Sequence, residues 1–191
     1  MIKHIISGIT EGFRNRKKLR QLLDSTPASS TILDLSPGDL KAAGILALAL
    51  DYDGVLAPHG GDRPLPEIEE WIRGAITVFS GKNIFILSNR PDGPRVSWFR
   101  ERLPEIRFIS GVRKKPYPDG LKKTGELASV PLSSILMVDD RLLTGCLAAI
   151  ISGSVPYYVR MPFRGFGKNA HKELFFAFVR SAERLFVRTV A

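Results

Sequence analysis

The chain of 191 residues is 44% hydrophobic and 25% charged, with one cysteine and a formal net charge of +9. This composition is typical of one globular domain with an apolar core, and a single cysteine excludes an internal disulfide framework. The sequence has no apolar run close to the about 20 residues that span a bilayer, and it begins without the apolar stretch of a secretory signal, so we expect a cytoplasmic protein.

The positive charge is concentrated at the two ends of the chain. Residues 1–26 hold six Lys/Arg against two Asp/Glu, residues 160–191 hold seven against two, and the segment between them is neutral. Basic surfaces attract anionic partners. The termini therefore favour either peripheral contact with an anionic membrane or a simple solvated basic face, and nucleic acid is not expected as a partner.

The first predicted element is a basic amphipathic helix within residues 1–26. Its apolar residues recur at helical spacing and include Ile2, Ile6, Ile9 and Phe13, with basic residues on the far side. This helix can face a membrane surface or pack on its own domain. Residues 27–191 are expected to form that single domain.

Short apolar runs then alternate with helical patterns. Strands are predicted in ILALALDYD, NIFILSN, RFISG, SILMVDD and PYYVRM. Helices are predicted in PEIEEWIRGAITVFS, in DGPRVSWFRERL with Asp92 as its cap, in PDGLKKTGELA and in LLTGCLAAIIS. This alternation predicts an α/β, Rossmann-like fold with a mostly parallel five-stranded sheet between helices.

A last helix carries an apolar stripe near the C-terminus. The stripe consists of Phe175, Phe178, Val179, Ala182, Leu185 and Phe186. We expect this face to pack in the core or to form a homo-oligomer contact. Cys146, on an apolar helix, is expected in the core.

Polar side chains follow four of the predicted strands where each strand ends. They are Asp51 and Asp53, Ser88 and Asn89, Lys114 and Lys115, and Asp139 and Asp140. The carboxyl ends of parallel strands meet at one edge of a sheet, which is where α/β proteins bind ligands. The four pairs are therefore expected to line one crevice.

These residue types suit phosphoryl chemistry with Mg²⁺, which prefers oxygen ligands. The metal is expected on Asp51, on the backbone carbonyl of Asp53 and on an acid at 139–140. Ser88 and a lysine would bind the remaining phosphoryl oxygens, while Gly54 lets the backbone turn and its amide approach the phosphate. Asp53 would protonate the leaving oxygen and later deprotonate the attacking water.

Four motifs in this order resemble the haloacid dehalogenase superfamily of phosphohydrolases. DYDGVL resembles motif I, which implies Asp51 as the nucleophile and Asp53 as the acid/base, and ILSNR resembles motif II, which implies phosphate binding by Ser88 and Asn89. KKP resembles motif III and implies Lys115 as the phosphate-binding lysine. MVDD resembles motif IV and implies a metal ligand, best matched by Asp140.

A finer resemblance is to the subfamily IIIA phosphatases of the YqeG type, a group that includes mitochondrial phosphatidylglycerophosphate phosphatases. It rests on the entry ILDLSPGDLKAAGILALALDYDGVL and on DDRLLTG, which is similar to the GDQLLTD of that group. Gly54 and Val55 replace the Asn-Thr that this group has after the second Asp, and Gly145 replaces the distal acid of motif IV. Asp139, which stands in place of a glycine, is a candidate to compensate and to join the metal ligands.

The motif spacing leaves no room for a large cap domain. Only 34 residues separate Asp53 from Ser88, and 26 separate Ser88 from Lys115. An open site suits a bulky phosphorylated substrate such as a lipid or a macromolecule, unless oligomerisation supplies a lid. His59 and Arg90 lie near the site in sequence, and we expect both to be solvent-exposed rather than in contact with substrate.

Three functional alternatives remain beside a phosphatase of unspecified substrate. The first is a phosphatidylglycerophosphate phosphatase acting at a membrane surface. The second is a catalytically inactive relative that serves as a binding protein. The third is a phosphorylatable receiver module, which is disfavoured because RFISG, the third strand, ends without an acid.

Overall fold

The fold is an α/β sandwich built on a five-stranded parallel sheet. In a computed structural model the described residues are 2–88, 93–165 and 170–190, with residues 2–5 described by their backbone only. The strands are β1 (Ala47–Leu50), β2 (Ile84–Ile86), β3 (Arg107–Phe108), β4 (Ile135–Asp139) and β5 (Val155–Tyr158). Their order in the sheet is β3-β2-β1-β4-β5, and each neighbouring pair is parallel. The predicted Rossmann-like fold class is confirmed.

Helices cover both faces of this sheet. They are α1 (Ile2–Arg14), α2 (Arg16–Ser25), α3 (Pro37–Ala42), α4 (Pro66–Phe79), α5 (Gly93–Arg102), α6 (Asp119–Ala128), α7 (Leu147–Ser152) and α8 (Ala170–Val190). Short 3-10 turns lie at Ile32–Asp34, Gly81–Asn83 and Leu132–Ser134, and a π-helical turn at Leu142–Cys146 leads into α7. None of the helices in the described part of the chain has the length and apolar character needed to cross a membrane.

The central strand is buried on both faces. Leu48 and Leu50 pack in one cluster with residues of α4, while Ala47 and Ala49 pack on the other face with Leu121 of α6. The near-continuous apolar run predicted this double burial, because a strand covered on both sides has no solvent face. Cys146 is fully buried, as expected.

The N-terminal segment is two helices rather than one. Asn15 has φ −103° and ψ 15°, and its side-chain amide donates to the Glu11 carbonyl, so the chain turns between α1 and α2. Leu19 and Leu23 of α2 are buried with Val187 of α8. The apolar face of α2 therefore packs on the protein's own domain.

The prediction that the apolar stripe of α8 packs in the core is wrong for most of the stripe, although Phe186 packs against a core cluster. The alternative, a homo-oligomer contact, stays a prediction. Phe175, Phe178 and Leu185 are 60%, 72% and 63% exposed. The buried side of the helix instead carries three charged residues and one valine, namely Glu173, Arg180, Glu183 and Val187. Helical spacing predicts the stripe but not what it packs against, and each of these buried charged residues contacts a residue that is distant in sequence.

Candidate functional site

The carboxyl edge of the sheet holds the site. Leu50 at the end of β1 is in register with Ile86 of β2 and with Val138 of β4, so the residues that follow these strands lie side by side. A cavity of about 460 Å³ opens at this edge. It is lined by the predicted residues Asp51, Asp53, Ser88, Lys115 and Asp140. Asn89, Arg90 and Asp92 lie outside the described residues.

Lys115 ties two of the strand ends together. Its Nζ lies 2.9 Å from Asp51 Oδ1 and donates to Asp139 Oδ2 at 2.5 Å, and the residue is 3% exposed. Burial disfavours the charged ammonium, but the two carboxylates outweigh burial and raise the pKa of Lys115. Lys115 is therefore a fixed cation beside Asp51, whereas Lys114 is exposed.

Three carboxylates meet at this point. Asp51, Asp139 and Asp140 each offer an oxygen within 4.8 Å of the others. Both oxygens of the fully buried Asp139 are engaged, because Oδ2 accepts from Lys115 and Oδ1 accepts from the backbone N–H of Arg141 at 2.8 Å. Asp51 and Asp140 are thus the two acids best placed to offer oxygens to a metal ion.

The protonation of these two acids depends on charge compensation. Burial raises the pKa of Asp51 to about 7; Lys115 opposes that rise, and the charge of Asp139 adds to it. Burial and Asp139 likewise raise the pKa of Asp140 to about 8, although Asp140 Oδ2 accepts from Arg180 at 2.6 Å. A divalent cation would stabilise both carboxylates, and carboxylate oxygens are the donors that hard cations prefer. The residues present therefore fit a metal ion, without fixing which one.

Two glycines in the site are required by these carboxylates. Gly54 has φ +83°, and a Cβ there would lie 2.5 Å from Asp140 Oδ2. A Cβ at Gly145 would lie 2.0 Å from Asp139 Oδ2. The carboxylate of Asp139 thus fills the space where a side chain at 145 would begin, which is why an acid at 139 and a glycine at 145 occur together.

Asp53 is held apart from the three-carboxylate group. Its Oδ1 accepts from Arg95 at 2.7 Å and from the Gly60 N–H at 3.0 Å, and its Oδ2 accepts from Arg95 at 3.1 Å. Arg95 is 2% exposed and lies over the Tyr52 ring at 4.2 Å. Of the predicted metal residues, Asp53 can therefore contribute only its backbone carbonyl while its side chain faces Arg95.

The expectation that His59 is solvent-exposed is wrong. His59 is 5% exposed and lines the cavity. Its ring stacks on Phe176 with centroids 4.1 Å apart, and its Nδ1 lies 3.3 Å from Glu173 Oε2. Sequence reasoning missed this contact because more than 100 residues separate the two partners.

Helix α8 closes one side of the site through two ion pairs and one contact between a histidine and a carboxylate. Glu173 pairs with His59, Arg180 pairs with Asp140, and Glu183 pairs with Arg141. These charges recur at 173, 180 and 183, on one face of the helix. That spacing was visible in the sequence and could have suggested a charged inner face, but the neighbouring phenylalanines gave the stronger pattern.

Comparisons with known proteins add no functional information. No family model matches the chain, and no curated protein matches it. Among solved structures, the crystal structure of an uncharacterized protein from Corynebacterium glutamicum is 23% identical, has a TM-score of 0.48, and is matched over 69% of this chain and 94% of its own.

Proposed function

We propose that this protein is a magnesium-dependent phosphatase that hydrolyses a phosphomonoester through an aspartyl-phosphate intermediate. The observation that carries the proposal is the pairing of Asp51 with the buried cation Lys115 beside the acidic group of Asp139 and Asp140. This arrangement places a carboxylate, a fixed positive charge and a cation site at one point of the cavity, as attack on an anionic phosphoryl group requires.

Each residue has a definite task in the proposed reaction. A carboxylate oxygen of Asp51 attacks phosphorus, the bond from phosphorus to the leaving oxygen breaks, and that oxygen takes a proton from Asp53. Water then attacks the phosphoryl group on Asp51, gives a proton to Asp53, and releases inorganic phosphate with the Asp51 carboxylate restored. Lys115 and Ser88, which both line the cavity, bind phosphoryl oxygens.

Mg²⁺ would be held by Asp51 and Asp140, with the backbone carbonyl of Asp53 as the third protein donor. When bound, it neutralises charge between the phosphoryl group and the nucleophile. Asp139 serves this arrangement indirectly, because it fixes Lys115.

A screen of phosphomonoesters with purified protein and Mg²⁺ tests the proposal. Turnover should be abolished by Asp51→Asn and reversibly by EDTA. Absence of turnover with every phosphomonoester tried would instead favour the alternative of an inactive binding protein.

The role of Asp53 has its own test. Asp53→Asn should slow alkyl phosphates, which have poor leaving groups, far more than nitrophenyl phosphate, because only the poor leaving group needs the proton. Equal losses for both substrates would contradict the assigned acid.

A second candidate is a phosphatase that acts on lipid phosphates, among them phosphatidylglycerophosphate, at an anionic membrane. The exposed apolar residues of two helices favour it. On α1, Ile6, Ile9 and Phe13 are 57%, 51% and 52% exposed, and α8 exposes Phe178 in the same way. Both helices lie in the basic terminal segments, and an apolar face flanked by Lys and Arg is typical of interfacial helices.

Liposome sedimentation tests this candidate. The double substitution Phe13→Ser and Phe178→Ser should release the protein from vesicles that contain anionic lipid. The control Leu127→Ser changes an exposed apolar residue of α6 and should not release it. Deleting residues 1–26 would be a poor test because it removes the buried Leu19 and Leu23. Equal sedimentation of all variants would refute a surface role, and light scattering would show whether the same face joins two copies.

A further inference from the structure

The wall of the cavity formed by His59 and α8 has no task in the reaction proposed above. His59, Lys172 and Phe176 line the same cavity as Asp51 and Asp53. The Gly60 N–H, directly after His59, donates to Asp53. His59 therefore stands on the side of the cavity where Asp53 would meet the leaving oxygen.

Glu173 fixes the orientation and the tautomer of His59. Its Oε1 accepts from the backbone N–H groups of His59 at 2.7 Å and of Gly165 at 3.3 Å, and its Oε2 faces His59 Nδ1. An ionised carboxylate can only accept hydrogen bonds, so Nδ1 carries the hydrogen. In a neutral imidazole Nε2 then bears a lone pair, and burial lowers the pKa of His59, which favours the neutral ring.

Nε2 is the ring nitrogen left for a ligand. It has no hydrogen-bond partner among the described residues, and the ring lines the cavity. Phe176 prevents the ring from tilting, because the two rings stack at 20° between planes. A fixed acceptor in the cavity wall recognises a hydrogen-bond donor.

Two common donors, a hydroxyl and an ammonium, can meet this acceptor. Four acids and four bases line the cavity, so their formal charges cancel and leave no excess negative charge to hold an ammonium: Asp51, Asp53, Asp62 and Asp140 against Arg95, Lys115, Arg141 and Lys172. A neutral hydroxyl needs no counter-charge.

We propose that His59 recognises a hydroxyl group of the substrate's leaving alcohol, whose hydrogen bond it accepts at Nε2. The inference rests on the proposed function and narrows its substrates to phosphomonoesters of polyols or sugars. Glu173 is a positioning residue in this scheme, because it acts through the imidazole and does not touch the substrate.

Non-hydrolysable phosphonates test this specificity by calorimetry on the wild-type chain with Mg²⁺. 3,4-Dihydroxybutylphosphonate should bind at least about tenfold more tightly than butylphosphonate. In His59→Phe, which keeps a ring against Phe176, the two should bind equally. Three results would overturn the inference. The two phosphonates could bind the wild type equally, the preference for the diol could survive in His59→Phe, or 3-aminopropylphosphonate could bind the wild type more tightly than the diol does.

Glu173→Gln tests the tautomer itself. The amide oxygen remains on the two backbone N–H groups, so the NH₂ group faces Nδ1 and moves the ring hydrogen to Nε2. This variant should gain affinity for 3-oxobutylphosphonate, which offers only an acceptor, and the ¹⁵N shifts of His59 should report the exchange. A wild-type ring protonated at Nε2 would contradict the assignment.

The two proposals fail in different ways. If no phosphonate binds and no phosphomonoester is hydrolysed, the proposed phosphatase function is wrong and the hydroxyl specificity falls with it. If phosphonates bind but hydroxyls make no difference, only the role of His59 is wrong. Urea unfolding measures the stability of each variant and so distinguishes a loss of ligand preference from a loss of the folded structure.

Discussion

At the scale of single residues, the glycine at position 145 has a steric explanation. The structure shows that Asp139 Oδ2 lies 2.0 Å from the position of a Cβ at 145, so a carboxylate reaches this place from a different point in the chain. There it accepts a hydrogen bond from Lys115.

We expect Gly145→Ala to destabilise the wild type by about 1–3 kcal/mol, because the added methyl overlaps a buried carboxylate. The same substitution should cost almost nothing in an Asp139→Gly background, where the space is open. Urea unfolding of the four proteins gives the coupling free energy.

Gly74→Ala in α4 is the matched control, since nothing lies within 4 Å of a Cβ there. It should be neutral or stabilise by up to about 1 kcal/mol. Equal costs of Gly145→Ala in both backgrounds would show that Asp139 is not the obstacle.

At the scale of secondary-structure elements, α8 is an amphipathic helix in an unusual sense: three of its charged residues are buried while Phe175 and Phe178 face solvent. Arg180 and Asp140 are both 1% exposed. Removing one partner of a buried ion pair leaves the other charge uncompensated, which costs far more than losing a surface pair.

Arg180→Gln is therefore expected to destabilise the protein by about 3–5 kcal/mol in the absence of metal. Arg188→Gln, an exposed position on the same helix, should change stability by less than about 0.5 kcal/mol. Urea unfolding compares the two. The cost of Arg180→Gln should be smaller at pH 6 than at pH 9, because Asp140 can take up a proton at the lower pH; a cost that does not vary with pH would contradict this account.

The strands and the site differ in how far the sequence predicts them. Apolar runs and the rule that parallel strands end at one edge were enough to bring Asp51, Ser88, Lys115 and Asp140 together. Those signals are local. The contact between His59 and Glu173 and the hydrogen bonds from Arg95 to Asp53 join distant segments, and no local period or spacing records such contacts.

At the scale of the whole molecule, the acidic group at the sheet edge couples stability to pH and to metal. Asp51 and Asp140 have pKa values of about 7 and 8 in the folded protein, above the ordinary 3.8. At a pH between the ordinary value of 3.8 and these folded-state values, Asp51 and Asp140 hold more protons in the folded state than in the unfolded state. Metal-free stability should therefore be greatest at low pH and fall as the pH rises through 7 to 8.

The expected observation is a melting temperature that falls from pH 6 to pH 9 without metal, and a gain on adding Mg²⁺ that is larger at pH 9 than at pH 6. Protons and the cation compete for the same oxygens, and binding to the folded state alone raises its stability. Thermal unfolding across pH, with and without Mg²⁺, measures both effects. Asp140→Asn should flatten the metal-free profile; an unchanged profile would show that another group titrates.

The place of α8 in the chain has a consequence for biosynthesis. During translation the whole sheet emerges before residues 170–190, so β1 and β4 can pair while Asp140, Arg141 and His59 still lack their partners on α8. A ribosome-bound intermediate would then present Asp140, Arg141 and His59 without these partners, and docking of the helix would complete the site. Pulse-labelled nascent chains should accordingly become resistant to protease only after the segment of α8 has left the exit tunnel.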